Sequence, residues 1–208
     1  MPKNEHPLHA LATYLPPNSF DQVVQYLHQY KVHLTITRER KSILGDYRNA
    51  THQSNHRISV NGNLNPYAFL ITLLHELAHL LTYEQYGHRV LSHGKEWKSI
   101  YGMLLAAFLT KDIFPKNIAI ALQKSLHNPA ASSCAEEDLM RVLRSFDRKA
   151  SDIILIEDLL PKELFVTKDG RVFERGEKLR KRYRCKETKT GLIYLFSPIY
   201  EVRKYKEM

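Results

Sequence analysis

The feature that most constrains this chain is a pair of histidines four residues apart, with a glutamate directly after the first. Residues 75–79 read His-Glu-Leu-Ala-His. On an α-helix, side chains at positions i and i+4 lie on the same face, one turn apart. His75 and His79 can therefore bind one metal ion, and Glu76 can reach a water molecule on that ion. Two zinc ligands beside a general base predict metal-dependent peptide hydrolysis.

The motif lies inside an apolar segment with helical spacing. Asn65 and Pro66 suit the N-cap and the first position of a helix, and Gly87 suits its C-terminal end. The sequence therefore predicts a helix over about residues 66–86. Imidazole and carboxylate groups inside such a helix would be costly to bury without a partner, and a metal ion is the simplest partner.

A catalytic zinc site usually has three protein ligands, so one more ligand must come from downstream of the motif. The metzincin spacing requires Gly and His at positions that hold Thr82 and Gln85, which excludes that class. The remaining candidates for the third ligand are Glu84, His88, His93 and Glu96.

His93 is the favoured third ligand, and Glu96 is the alternative. His93 precedes Gly94 at the entrance of a second apolar helix, where a histidine beside a glycine can approach a site closely. Glu84 lies too close on the same helix to complete a tetrahedral site easily.

These residues resemble the SprT-like (Spartan-type) metalloprotease family. The resemblance joins residues 75–79 to residues 92–97, which read Ser-His-Gly-Lys-Glu-Trp. Residues 42–47 and 57–61 resemble the strands that precede the family's active-site helix. The resemblance covers about residues 18–110 and is carried by paired motifs, which are more specific than the five-residue motif alone.

The resemblance implies zinc ligands at His75, His79 and His93 and a catalytic glutamate at Glu76. It also implies a zincin-like fold. Eukaryotic members of the family cleave proteins crosslinked to DNA, so the resemblance implies a protein substrate and DNA as a partner.

The cysteine content departs from the family pattern. Many members carry a C-terminal zinc ribbon of paired cysteines, whereas this chain has only Cys134 and Cys185. A four-cysteine structural site is therefore impossible, and one catalytic Zn²⁺ is expected.

The remaining patterns predict an α+β chain. A first helix begins near Ser19, and three short strands form a small antiparallel sheet packed on the helices. The predicted later helices cover residues 97–108, 115–126 and 133–146, the last opening with a capping box at residues 133–136. The predicted strands cover residues 32–37, 43–48, 57–60, 164–167, 171–174, 179–186 and 192–196. We expect a metalloprotease domain over residues 1–150 and a basic β-rich appendage over residues 151–208.

The positive charge is concentrated in the last quarter of the chain. The formal net charge is +9, and residues 162–208 hold 14 Lys and Arg against 7 Asp and Glu. On one strand, the cations of residues 178–186 would hold phosphates while Tyr183 stacks on a base. The alternative is a solvated strand face that protects a sheet edge. The predicted nucleic-acid-binding residues are Lys178, Arg180, Arg182, Tyr183, Arg184 and Lys186.

Other classes are disfavoured. The apolar runs are too short and interrupted to span a bilayer, and the N-terminus lacks the pattern of a signal peptide. Two distant cysteines offer no disulfide framework. The sequence therefore predicts a cytoplasmic protein with no membrane partner.

Together these patterns predict a zinc metalloendopeptidase in which Glu76 is the general base. The alternative is a nucleic-acid-binding or adaptor protein with a structural or cryptic zinc site, a reading supported by the basic tail. Candidates for a second electrophile in the site are Tyr83, Tyr86, His88 and Arg89.

Overall fold

The chain mixes helices and strands in two compact units, Met1–Asp147 and Arg148–Met208. A computed structural model describes residues 8–40, 42–126, 129, 136–147 and 152–205. Within these residues, no helix is long and apolar enough to cross a membrane.

The first unit is built around helix α2, Pro66–Tyr86, whose bounds match the predicted ones. The Asn65 side chain accepts a hydrogen bond of 3.0 Å from the backbone N–H of Ala68, which caps the first turn. Gly87 ends the helix with a φ of +60°, a conformation that favours glycine. Every residue from 69 to 78 is buried, so α2 is enclosed on all sides.

A three-stranded sheet packs on α2. Its strands are β1 (His33–Thr37), β2 (Gly45–Arg48) and β3 (Arg57–Asn61), in the order β1-β3-β2. β2 and β3 are antiparallel, but β1 and β3 are parallel, so the prediction of a purely antiparallel sheet is wrong. β1 and β2 run in opposite directions with β3 between them, so β3 can be antiparallel to only one of the two.

The third helix of this unit packs directly on α2, the fourth packs on the third and the fifth, and the first packs on a 3₁₀ segment that also contacts α2. Trp97 and Phe108 of the third helix are fully buried beside α2, as its apolar stripe predicted. The last helix begins later than predicted, and residues 133–135 of the predicted capping box lie outside the described residues. The helices are α1 (Phe20–Gln29), α3 (Lys95–Leu109), α4 (Lys116–Ser125) and α5 (Glu137–Arg144), preceded by a 3₁₀ segment, Leu8–Tyr14.

The second unit is a curled antiparallel sheet of six strands, in the order β4-β9-β5-β6-β7-β8. Its core includes the fully buried Phe165, Phe173 and Cys185. The predicted turns contain Gly170 and Gly191, with φ of +82° and +73°. The strands are β4 (Ile153–Leu155), β5 (Leu164–Val166), β6 (Val172–Leu179), β7 (Arg182–Glu187), β8 (Ile193–Phe196) and β9 (Glu201–Lys204).

The predicted strand over residues 179–186 is wrong in one respect. β6 continues to Leu179, and the chain turns before β7 begins at Arg182. Arg180 adopts a φ of +49° in this turn. The basic segment is therefore a hairpin, and its side chains do not alternate along one strand. β4, of three residues, and β9, of four residues, were not predicted.

Asn65 offers a test of how α2 is anchored. Its side-chain NH₂ also donates to the Leu143 carbonyl at 3.1 Å and to Asp147 Oδ1 at 2.6 Å. Asn65→Ala and Asn65→Ser both remove these donors, but Ser can still cap the helix. We expect the Ala variant to have a free energy of unfolding about 1 kcal/mol lower than that of the Ser variant. Denaturant unfolding measures this difference, and equal stability would contradict the cap.

Candidate metal centre

Three histidine side chains converge between α2 and the start of α3. His75 and His79 lie one turn apart on α2, and His93 lies in the loop before α3. Nε2 of His75 is 3.3 Å from Nε2 of His79 and 3.3 Å from Nε2 of His93. Their potential ligand atoms all lie within 4.8 Å of one another. The structure thus brings together the three histidines predicted as ligands, and the triad could hold a metal ion.

Trp97 packs against all three imidazoles. Its indole ring centroid lies 4.7 Å from that of His75, 5.2 Å from that of His79 and 4.7 Å from that of His93. Tyr101, one turn further along α3, lies 5.5 Å from His75. The sequence predicted Trp97 as a packing residue of α3. The structure shows that the surface on which it packs includes the three histidines.

The chemistry of these nitrogens fits a bound cation. A neutral imidazole has one N–H group and one lone pair, so three converging Nε2 atoms cannot all satisfy one another. Burial, followed by repulsion from His79 and His93, lowers the pKa of His75 to about 3. Burial and then His93 lower the pKa of His79 to about 4, and burial also lowers the pKa of His93. Neutral imidazoles are the form that binds metal.

Glu76 is buried beside the triad. Burial, reinforced by repulsion from Asp46, raises the pKa of its carboxyl to about 8, against the opposing effect of Arg40. β2 approaches the carboxyl closely at Gly45, where an added Cβ would lie 2.6 Å from Glu76 Oε1 and 2.8 Å from Thr72 Cγ2. Gly45 therefore leaves the space that the glutamate occupies. Sequence reasoning missed this role of Gly45, because the contact joins residues far apart in the chain.

The other candidates for the third ligand have different partners. The Glu96 carboxylate lies 3.9 Å from the ammonium of Lys95, and the Glu84 carboxylate lies 3.2 Å from Nε2 of His56. The ring of His88 packs on Tyr83 at 5.1 Å. Within the described residues, the metal-capable cluster contains His93 and not Glu96.

The sequence places His52 and His56 in a polar segment and predicts that both side chains face solvent. His52 is exposed. Only 7% of His56 is exposed, and its Nδ1 lies 2.9 Å from the Tyr47 hydroxyl. The Tyr47 ring lies parallel to that of His79, at 6.5 Å. The sequence of β2, Gly-Asp-Tyr-Arg, gave no sign of these long-range contacts.

The candidate second electrophiles lie on and after the last turns of α2. The ring of Tyr83 contacts His56 at 6.1 Å, and Arg89 donates from Nε to the Tyr86 carbonyl at 3.0 Å. These contacts favour none of the four candidates for a catalytic role.

The basic hairpin of the second unit presents its cations to solvent. Lys178, Arg180, Arg182, Arg184 and Lys186 are all exposed. In β7, Arg182, Arg184 and Lys186 alternate with inward-facing residues and therefore share one face.

Tyr183 is not available to stack on a base. It is only 7% exposed, because the alternation of β7 turns it into the core of the second unit. The Arg175 guanidinium lies over its ring at 4.4 Å, and the Lys178 ammonium lies at 5.6 Å. The expectation that Tyr183 contacts nucleic acid is therefore wrong.

The comparisons with known proteins agree with the resemblance. Residues 18–119 match the model of the SprT-like family, a segment that includes the three histidines and Glu76. A stretch of 37 residues is 57% identical to Protein SprT of Vibrio parahaemolyticus serotype O3:K6 (strain RIMD 2210633). This stretch covers 17% of the chain and only 22% of that relative. No solved structure matches the chain.

The raised pKa of Glu76 predicts a pH-dependent stability in the metal-free protein. The folded state keeps the carboxyl protonated up to about pH 8, whereas the unfolded chain ionises near 4.5. Between these values the free energy of unfolding falls as pH rises, by up to about 1.4 kcal/mol per pH unit. Glu76→Gln removes this pH-dependent loss of stability. The histidines titrate in both the variant and the wild type, so their contribution cancels in the comparison.

We therefore expect the stability advantage of metal-free Glu76→Gln over the wild type to grow between pH 4.5 and pH 8. Denaturant unfolding with a chelator present, at several pH values in this range, measures it. An advantage that stays constant with pH would show that the carboxyl is not protonated in the fold.

Proposed function

The chain belongs to the SprT-like family through residues 18–119, and on this premise we propose that it is a zinc-dependent metallopeptidase. One observation carries the proposal: three imidazoles converge on one point, and the residue that follows the first of them in the chain is a buried glutamate. His75, His79 and His93 would hold the zinc ion, and Glu76 would be the general base. Three protein ligands with a nearby carboxylate are typical of hydrolytic zinc sites.

A zinc ion held by His75, His79 and His93 would supply Lewis acidity toward the scissile carbonyl and would lower the pKa of the attacking water. Glu76 would accept a proton from that water and return it to the leaving amine as the peptide bond breaks. Its carboxyl is protonated at neutral pH in the metal-free protein, since its pKa is about 8. A cation held by the adjacent neutral imidazoles would favour the ionised form, which is the form that accepts a proton.

Access to the site comes from the side of His79 and His93. Both are only partly buried, whereas His75 is 4% exposed at the base of the triad. An extended peptide can approach from this side. The substrate class that fits is therefore an accessible segment of a protein chain.

The basic face of β7 supports a second proposal, that the protein binds nucleic acid and acts on DNA-associated or DNA-crosslinked proteins. Arg184 and Lys186 pair across the sheet with Leu195 and Ile193 of β8, and Arg182 pairs with Leu179 of β6. These partners are exposed by 54%, 49% and 47%, respectively. Cations can neutralise phosphates on this face, and the aliphatic side chains offer apolar contact to bases.

The adaptor alternative, with a structural or cryptic zinc site, shares this basic face but not the catalytic role of Glu76. Activity of the site therefore separates the two functions.

Metal content and one substitution test the peptidase. We expect about one zinc ion per chain after expression with zinc, and Glu76→Gln should retain that zinc while losing proteolysis of casein by at least about 100-fold. Glu96→Gln is the matched control, because Glu96 lies near the site but outside the histidine cluster. Full activity in Glu76→Gln would remove the glutamate from its role, and absence of zinc would exclude the site.

Charge removal on β7 tests nucleic-acid binding. Replacing Arg182 and Arg184 by Gln should weaken binding to DNA and reduce the slope of log affinity against log salt by about 1 to 2. The control replaces Lys111 and Lys116, two exposed lysines of the first unit, by Gln. Fluorescence anisotropy with labelled DNA at several salt concentrations measures both. If the control and the β7 variant lose affinity equally, the face has no specific role.

A further inference from the structure

A series of contacts through Tyr47, His56 and Glu84 links His79 to a later turn of its own helix. The Tyr47 ring on β2 lies parallel to the imidazole of His79, with 6.5 Å between centroids and 7° between planes. The Tyr47 hydroxyl lies 2.9 Å from Nδ1 of His56, and Nε2 of His56 lies 3.2 Å from the Glu84 carboxylate. Because Glu84 and His79 both belong to α2, this series of contacts begins and ends on the helix that carries His75 and His79.

The backbone fixes the direction of these hydrogen bonds. The N–H of Ala50 donates to Nδ1 of His56 at 3.2 Å, so this nitrogen is an acceptor. The Tyr47 hydroxyl must therefore donate to Nδ1, and Nε2 of His56 carries the proton that faces Glu84. His56 is only 7% exposed, so water competes little for these bonds. The orientation of the Tyr47 ring is thus set from two sides, by the backbone of β2 and by its hydroxyl.

The three imidazoles differ in what holds them. His75 is 4% exposed and is enclosed by Trp97 and Tyr101. His79 is only partly buried, and its ring contacts Trp97 at 5.2 Å and Tyr47 at 6.5 Å. A partly exposed imidazole loses side-chain freedom when it binds a metal, unless its neighbours already restrict it.

We propose that Tyr47, oriented by His56 and Glu84, is a positioning residue that holds the His79 imidazole in the orientation needed to bind metal. The inference rests on the proposed metal site and adds to it a role for three residues outside the triad. The parallel ring of Tyr47 restricts rotation of His79, and the bond to His56 keeps the tyrosine ring in place. Residues that orient a metal ligand typically contribute 10- to 100-fold to metal affinity. Tyr47 contacts His79 through a ring face and makes no hydrogen bond to it, so we expect its contribution to metal affinity to lie near the lower end of this range, about tenfold.

The test measures metal binding in the full-length protein, without relying on activity. Zinc affinity is obtained by competition with a chromophoric chelator, and ligand geometry is obtained from the visible absorption bands of the Co²⁺-loaded protein. Tyr47→Phe keeps the ring but loses the hydroxyl, and we expect about tenfold weaker zinc binding and an altered Co²⁺ spectrum. Tyr47→Ala should weaken binding further.

A double variant tests whether Tyr47 and Glu84 act on zinc affinity through the same series of contacts. Glu84→Gln weakens the bond that orients His56, so it should also reduce zinc affinity. The double variant Tyr47→Phe/Glu84→Gln should bind zinc no more weakly than Tyr47→Phe alone, because Tyr47→Phe already removes the hydrogen bond that connects Tyr47 to His56 and Glu84. Additive losses would overturn the proposed connection.

Tyr67→Phe is the matched control. Tyr67 is a partly buried tyrosine of the same unit whose ring packs on Phe114 and Phe146. The Tyr67→Phe variant should bind zinc with the same affinity as the wild type and should have the same Co²⁺ spectrum. Thermal unfolding of every metal-free variant separates the two roles, since a purely structural residue lowers the unfolding temperature without changing the Co²⁺ spectrum.

The outcomes distinguish this inference from the proposed function. If the wild type binds zinc and Tyr47→Phe binds it equally well with the same Co²⁺ spectrum, the positioning role is overturned and the metal site stands. If the wild type binds neither ion, the proposed function fails, and the positioning role fails with it.

Discussion

The enclosure of α2 is the constraint on which the rest of the first unit depends. A helix whose residues 69–78 are all buried has no solvent in which to place its polar groups. Burial therefore lowers the pKa of His75 and raises that of Glu76. The neutral imidazoles and the protonated carboxyl have one physical cause, the packing of α3 and β2 on α2. Trp97 and Gly45 are the points of that packing next to the site, because Trp97 touches the imidazoles and Gly45 makes room for the carboxyl.

Local sequence signals predicted α2 to the residue, and long-range geometry explains most of what they missed. The N-cap Asn65 and the terminal Gly87 are signals within one turn of each helix end, so no tertiary information was needed. The parallel pairing of β1 with β3 depends instead on where a later strand inserts, which no local pattern encodes. The burial of His56 has the same origin, since its partners lie on β2 and α2.

The basic hairpin shows how strand register limits inference from charge. Composition predicted the cluster of cations, and all of them are exposed. Because side chains alternate between faces, the position of the turn decides which residues share a face. The turn around Arg180 places Tyr183 inside and leaves Arg182 and Arg184 outside, next to exposed aliphatic side chains of neighbouring strands. The exposed face therefore combines cations with the aliphatic side chains of Leu179 and Leu195.

The composition of the triad bears on whether its metal would be catalytic or structural. Structural zinc sites are closed by four protein ligands, whereas catalytic sites leave a position for water or substrate. Among the residues that the structure describes, the cluster offers three ligands, two of them only partly buried. A structural site does not require a buried carboxyl next to a ligand, and an acid in an apolar core lowers the free energy of unfolding at neutral pH. Glu76 is such an acid, with a pKa of about 8. Three side-chain ligands rather than four, and a buried carboxyl directly after the first of them, are what a hydrolytic site requires, and they favour the proposed peptidase over the adaptor.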